Sequence, residues 1–126
     1  MNGHRREHSQ MTDTHAATVR MSQRRSLATL AELLAVPDLP PITWRVGFYN
    51  DLYGQVAVST RRLEPAEIVG AWDAWVLALQ KVGATVEARE AETGDERLLS
   101  ASCKSYGPNG TLVVISARFD LPQGEQ

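Results

Sequence analysis

The run PAEIVGAWDAWVLALQKV, from Pro65 to Val82, decides how the rest of the chain is read. Ile68, Trp72, Trp75, Leu79 and Val82 recur at helical spacing and form one broad apolar stripe. Pro65 fits the first helical turn, where its missing amide costs no hydrogen bond. Glu67 lies where free amide groups favour a carboxylate, and Gly83 is placed to stop the helix. Two indoles on one helix face require a large apolar partner. The alternating segments on either side, Ile42 to Thr60 and Ala84 to Phe119, supply it, since a sheet with one apolar face must bury that face against another layer.

Working outward, Thr43 to Tyr49 reads as a first strand with Trp44, Val46 and Phe48 on one side. A turn at Asn50, Asp51 and Gly54 leads to a second strand over Gln55 to Thr60. Downstream of the helix, Thr85 to Glu92 alternates loosely, and Thr93, Gly94 and Asp95 form a turn. Glu96 to Tyr106 returns as a strand with Leu99, Ala101 and Cys103 sharing a side. Gly107, Pro108, Asn109 and Gly110 make the sharpest turn in the chain. Thr111 to Phe119 follows, with Val113, Ile115, Ala117 and Phe119 alternating against Leu112, Val114, Ser116 and Arg118. Both faces near its start are apolar, which predicts a central strand. Upstream, Ser26 to Ala35 predicts a short helix with Leu27, Leu30, Ala31 and Leu34 on one face, broken by Pro37, Pro40 and Pro41.

The expected fold class is therefore α+β: a five-stranded, mainly antiparallel sheet with a long helix packed on one face and a short N-terminal helix. The chain of 126 residues, 43% hydrophobic and 22% charged, holds one ordinary domain. The expected organisation is a flexible basic leader over residues 1–25, a single domain over 26–121 and a C-terminal tail over 122–126. The leader carries five arginines against Glu7 and Asp13, net +3, whereas the remainder carries eight basic and thirteen acidic side chains, net −5. An acidic body argues against strong binding to phosphate backbones, which rests on accumulated positive charge.

Chemistry-bearing motifs are scarce. All three histidines, His4, His8 and His15, fall in the leader, so no Ser–His–Asp triad can be drawn from the predicted elements. Cys103 is the only cysteine and its alternation with Leu99 and Ala101 reads as a buried structural thiol. No glycine-rich phosphate loop occurs. The acidic residues Glu87, Glu90, Glu92, Asp95 and Glu96 are dispersed by strand alternation and an exposed turn, which argues against a metal site. No catalytic, cofactor-binding or metal-binding residues are expected, and no cofactor. Neither a secretory core nor a long apolar run is seen, which gives a cytoplasmic expectation without membrane attachment.

What remains is a small noncatalytic protein-association module or accessory subunit, expected to be homodimeric or to bind another protein. One alternative is a small-ligand-binding domain with a cup between sheet and helix. Another is a weak nucleic-acid-binding accessory protein using the arginines of the leader. The candidate interface residues are Leu27, Leu30 and Leu34 on the short helix, and Leu112 and Val114 on the last strand's second face. Tyr49, Tyr53 and Tyr106 are further candidates near turns, where binding sites are often built.

Overall fold

The apolar stripe over Pro65–Val82 becomes the helix α2, Pro65–Lys81, in a computed structural model that describes residues 2–56, 63–82 and 84–121, with side chains of the first helix described from Asp13 onward. The backbone N–H of Glu64 donates to Glu67 Oε1 at 3.2 Å, closing the helix start, and Val82 caps its end. The stop read at Gly83 lies outside the described residues. Before α2 come helix α1, Asn2–Leu34, and the strands β1, Thr43–Val46, and β2, Asp51–Gln55. After it come β3, Glu87–Thr93, β4, Glu96–Tyr106, and β5, Thr111–Asp120. Among the described residues no helix is long and apolar enough to cross a membrane.

The strands form one sheet in the order β1-β2-β5-β4-β3. Its α+β class is as read from the sequence, but the sheet is mixed rather than mainly antiparallel. β2 runs parallel to β5, with Leu52 opposite Val113 and Gly54 opposite Ile115. The reason is the path of the chain. β2 leaves through α2, which crosses the sheet to β3 at the far edge. Two antiparallel returns, β3 to β4 and β4 to β5, then bring β5 back beside β2 in the same direction. β5 is central, as its two apolar faces predicted.

Two boundaries move. The first turn falls at residues 47–50, not at Asn50 to Gly54: Gly47 N–H donates to Asp51 O at 2.9 Å, and Asn50 takes the left-handed conformation at φ 59°. β2 accordingly starts at Asp51, and most of the predicted strand Gln55 to Thr60 lies outside the described residues. The larger change concerns the N-terminal helix. The expected short helix over Ser26–Ala35 is the last part of a 33-residue helix, and the leader boundary at residue 25 falls inside it. No proline or glycine interrupts the run from His4 to Val36, so the helix that packs on the sheet can propagate upstream without a break.

Both helices lie on the same face of the sheet. Leu52, Leu99, Ala101, Cys103, Val113, Ile115 and Ala117 are buried there beneath Ile68, Trp72, Trp75 and Leu79 of α2, with Leu33 from α1 joining the same cluster. The Trp72 indole N–H donates to Ile115 O at 3.0 Å, and the Trp75 indole N–H donates to Pro40 O at 2.8 Å. Trp44 meets Trp75 edge to face at 5.3 Å. Among the described residues the second face of the sheet carries no helix. Its register rows run Arg45–Tyr53–Val114–Ser102–Glu87 and Thr43–Gln55–Ser116–Ser100–Arg89. The edge strand β3 is exposed along its whole length and carries Glu87, Arg89, Glu90 and Glu92, a charge pattern that resists pairing with another sheet.

Trp72 is 6% exposed and is held by area and by a hydrogen bond to the central strand. Trp72→Ala is expected to lower stability by about 3–5 kcal/mol in urea denaturation. A loss below about 1 kcal/mol would show that α2 is not anchored through this side chain.

Candidate functional site

The fastening of α1 determines which of its side chains are left to meet anything else. Ser26, Thr29 and Leu33 recur at helical spacing and are buried on the sheet side. The Thr29 hydroxyl lies 2.7 Å from that of Thr111 on β5, and Thr111 Oγ1 donates to Asn50 Oδ1 at 2.9 Å. Since Thr111 spends its proton on Asn50, Thr29 is the donor of the Thr29–Thr111 pair. Ser26 Oγ reaches Asn50 Oδ1 at 3.3 Å, Asn50 Nδ2 donates to Asn109 O at 2.8 Å, and Leu112 N–H donates to Asn50 O at 3.1 Å. Gln23 Nε2 reaches Gly47 O at 3.5 Å. Asn50 thus ties α1, the β1–β2 turn and the β4–β5 turn together.

This rotation of α1 separates the leucines that the sequence placed together. Leu30 is half-buried toward the body, whereas Leu27 and Leu34 point outward, 53% and 63% exposed. Leu33, which the sequence reading passed over, is the buried leucine. Its signal lies in the spacing of Ser26, Thr29 and Leu33, but two of those three residues are polar, so the buried side of the helix carries no apolar stripe. Around Leu27 and Leu34 the exposed surface of α1 also carries Ala28 and Ala31. Val36, Leu77 and Val82 are also exposed, and they line a groove with Leu33. Between the two helices lies a groove of about 430 Å³ lined by Leu33, Val36, Leu39, Leu77, Val82 and Tyr106, with Asp38 and Lys81 also on its walls.

The three tyrosines are dispersed. Tyr106 is buried in the groove's floor, where removal from water, the Glu32 carboxylate and the Cys103 thiol raise its phenol above the ordinary value. Tyr53 lies on the helix-free face with its hydroxyl donating to Asp51 Oδ2 at 2.7 Å, and the Arg45 guanidinium sits 4.5 Å over its ring. That hydrogen bond, more than burial, raises its phenol. Tyr49 is exposed on the β1–β2 turn, beside Phe48, and shares a shallow concavity with Tyr53. Asp51 is held at this turn by Tyr49 N–H at 3.1 Å, and its carboxylate fills the space that a Cβ on residue 47 would need, which is why Gly47 stands there.

Leu112 and Val114 do share the helix-free face, as read, but they do not build a continuous apolar patch with Leu98. Leu112 pairs with Asp51, Val114 lies between Tyr53 and Ser102, and Leu98 lies between Arg118 and Ala91. All three are half-buried by these neighbours. The acidic residues are dispersed: Glu90 pairs with Arg97 at 2.6 Å and Glu96 with Arg118 at 2.6 Å. Among the described residues no three His, Cys, Asp or Glu side chains converge as metal ligands would. No family model matches the chain, nor does any curated protein or solved structure.

Two measurements check this arrangement. Asn50→Ala removes the acceptor for Thr111 and places a Cβ-bearing residue without a bonding side chain at positive φ. It should cost about 2–4 kcal/mol in urea denaturation. A raised phenol contributes stability that is fully present below its ordinary pKa and is lost as pH rises through the folded value. Stability should therefore fall above about pH 10, and Tyr106→Phe should reduce the size of that fall.

Proposed function

We propose that this chain is a small noncatalytic protein-association module that acts as a homodimer, through the helix-bearing side of the fold. The observation that carries this reading is the outward face of α1. There, Leu27 and Leu34 stand exposed beside exposed Ala28 and Ala31. A single exposed leucine needs no explanation. Two large apolar side chains two turns apart on one exposed helix face support a surface built to be covered. Elsewhere, the β3 edge is charged, the helix-free face interleaves its leucines and valine with polar residues, and Phe48 and Tyr49 stand exposed on the β1–β2 turn. A stable interface of ordinary size buries about 1,200–2,000 Å² in total.

A second reading rests on the groove of about 430 Å³ between α1 and α2, which is large enough for part of an apolar ligand. A cup between sheet and α2 is less favoured, because Trp72, Leu79, Leu52 and Ile115 occupy the space it would need.

Multi-angle light scattering is expected to give twice the mass of 13.9 kDa at concentrations above a dissociation constant on the order of 1 μM, equivalent to about −8 kcal/mol. The double variant Leu27→Asp/Leu34→Asp should be monomeric with unchanged circular dichroism, since both side chains are exposed. A native protein that stays monomeric throughout, and copurifies with a stoichiometric small molecule, would replace this reading with the ligand one.

A further inference from the structure

The groove between α1 and α2 has a buried floor, two walls and one polar group left without a partner. Leu33 of α1 and Tyr106 of β4 form the floor, at 1% and 7% exposed. One wall is α2, through Leu77 and Ala78, and the other is the connection after α1, from Val36 to Leu39. That connection is stiff. Pro37, Pro40 and Pro41 restrict its backbone, Asp38 holds the left-handed conformation at φ 63°, and the Trp75 indole N–H fastens Pro40 O at 2.8 Å. The concavity is thus formed before anything enters it, and its volume of about 430 Å³ falls in the range of about 300–1,000 Å³ usual for small-molecule sites. Leu27 and Leu34 line no part of it, so it stands apart from the dimer surface proposed above.

Tyr106 gives the groove its polar end. A tyrosine rising from a strand carries its hydroxyl farthest from the sheet, at the level of the helices, and there the Glu32 carboxylate of α1 acts on it. The hydroxyl makes no hydrogen bond among the described residues, yet its oxygen is not fully enclosed as the unpaired Trp44 Nε1 is. A tyrosine buried to this degree ordinarily finds a partner for its hydroxyl. Removal from water and the Glu32 carboxylate both favour the protonated phenol, so Tyr106 is a donor that lacks an acceptor. Charge narrows what can bring that acceptor. Glu32 beside the hydroxyl and Asp38 on one wall oppose a carboxylate, and Lys81 on the other wall opposes a cation. We infer that the groove binds a small uncharged molecule with an apolar body and one acceptor oxygen, the body lying against Leu33, Leu39 and Leu77 and the oxygen accepting from the Tyr106 hydroxyl.

Titration of the isotope-labelled full chain with acetophenone, followed by amide chemical shifts, tests the site. Saturable shifts are expected at Leu33, Leu39, Leu77 and Tyr106. Benzoate and benzylammonium, of similar shape but charged, should bind at least about tenfold more weakly. Tyr106→Phe should weaken acetophenone about fivefold, the worth of one net hydrogen bond, and leave the binding of toluene, which has no oxygen, unchanged. Leu77 is 52% exposed, so Leu77→Glu should keep the fold and abolish binding of both. The double variant Leu27→Asp/Leu34→Asp should bind acetophenone as the native chain does. Absence of saturable shifts, or shifts confined to another surface, would overturn the site. Equal acetophenone affinity in Tyr106→Phe removes the hydroxyl's role, and tighter binding of either charged probe removes the uncharged class. Loss of binding in the double leucine variant would show that the groove depends on the dimer and overturn its independence. A monomer in light scattering that still binds acetophenone removes the homodimer and leaves this inference standing.

Discussion

The contact between Trp72 and the central strand holds the two layers in register. Its ring covers the middle of β5, and its N–H donates to the carbonyl of Ile115. One side chain therefore supplies apolar area and a directional constraint at the point where β2, β5 and β4 lie side by side. Trp75, one turn further along α2, repeats the device against a different part of the chain. Its N–H donates to Pro40 O and its ring meets Trp44 edge to face. The proline-rich connection after α1 is thereby drawn onto α2. Trp44 pays for this position, because its own Nε1 is buried without a partner among the described residues.

The second fastening is polar. Ser26, Thr29 and Thr111 are fully buried hydroxyls, which would be costly without partners; Asn50 Oδ1 accepts from Ser26 and Thr111, and Thr111 Oγ1 accepts from Thr29. Because hydrogen bonds are directional, this cluster sets the rotation of α1 about its axis more sharply than leucine packing would. With Ser26, Thr29 and Leu33 turned inward, Leu27 and Leu34 have to face outward.

The two faces of the sheet show how a small domain divides its surface. One face is covered by helices and is apolar. The other is left open and is tolerable in water because its rows alternate Val114 and Leu112 with Tyr53, Ser102, Ser116 and Asp51. Arg45 over Tyr53, and the Asp51 carboxylate under the same hydroxyl, cover the most apolar row at the β1 end. The large apolar side chains still exposed are divided between the helices, at Met21, Leu27, Leu34 and Leu77, the ends just beyond them, at Val36 and Val82, and the β1–β2 turn, at Phe48 and Tyr49.

Local patterning by itself determined the α2 stripe from Ile68 to Leu79, though not Val82, which is exposed beyond the helix end, and with it the strands β4 and β5, the glycine-rich turn between them and the central place of β5. In each, the period of apolar residues reports burial within a single element. The same patterning named Leu27 and Leu34 as surface candidates but joined them to Leu30 and overlooked Leu33, because the buried side of α1 is marked by Ser26 and Thr29, which read as polar until their partners are known. Only the tertiary structure decided that β2 and β5 run parallel, since strand direction there follows from the crossover through α2. It also decided how far α1 extends as one helix, and that Asn50 is the joint between three segments distant in the chain. Each of these depends on groups far apart in sequence meeting in space, and hydropathy periods carry no record of which distant hydroxyl, amide or strand edge will be the partner.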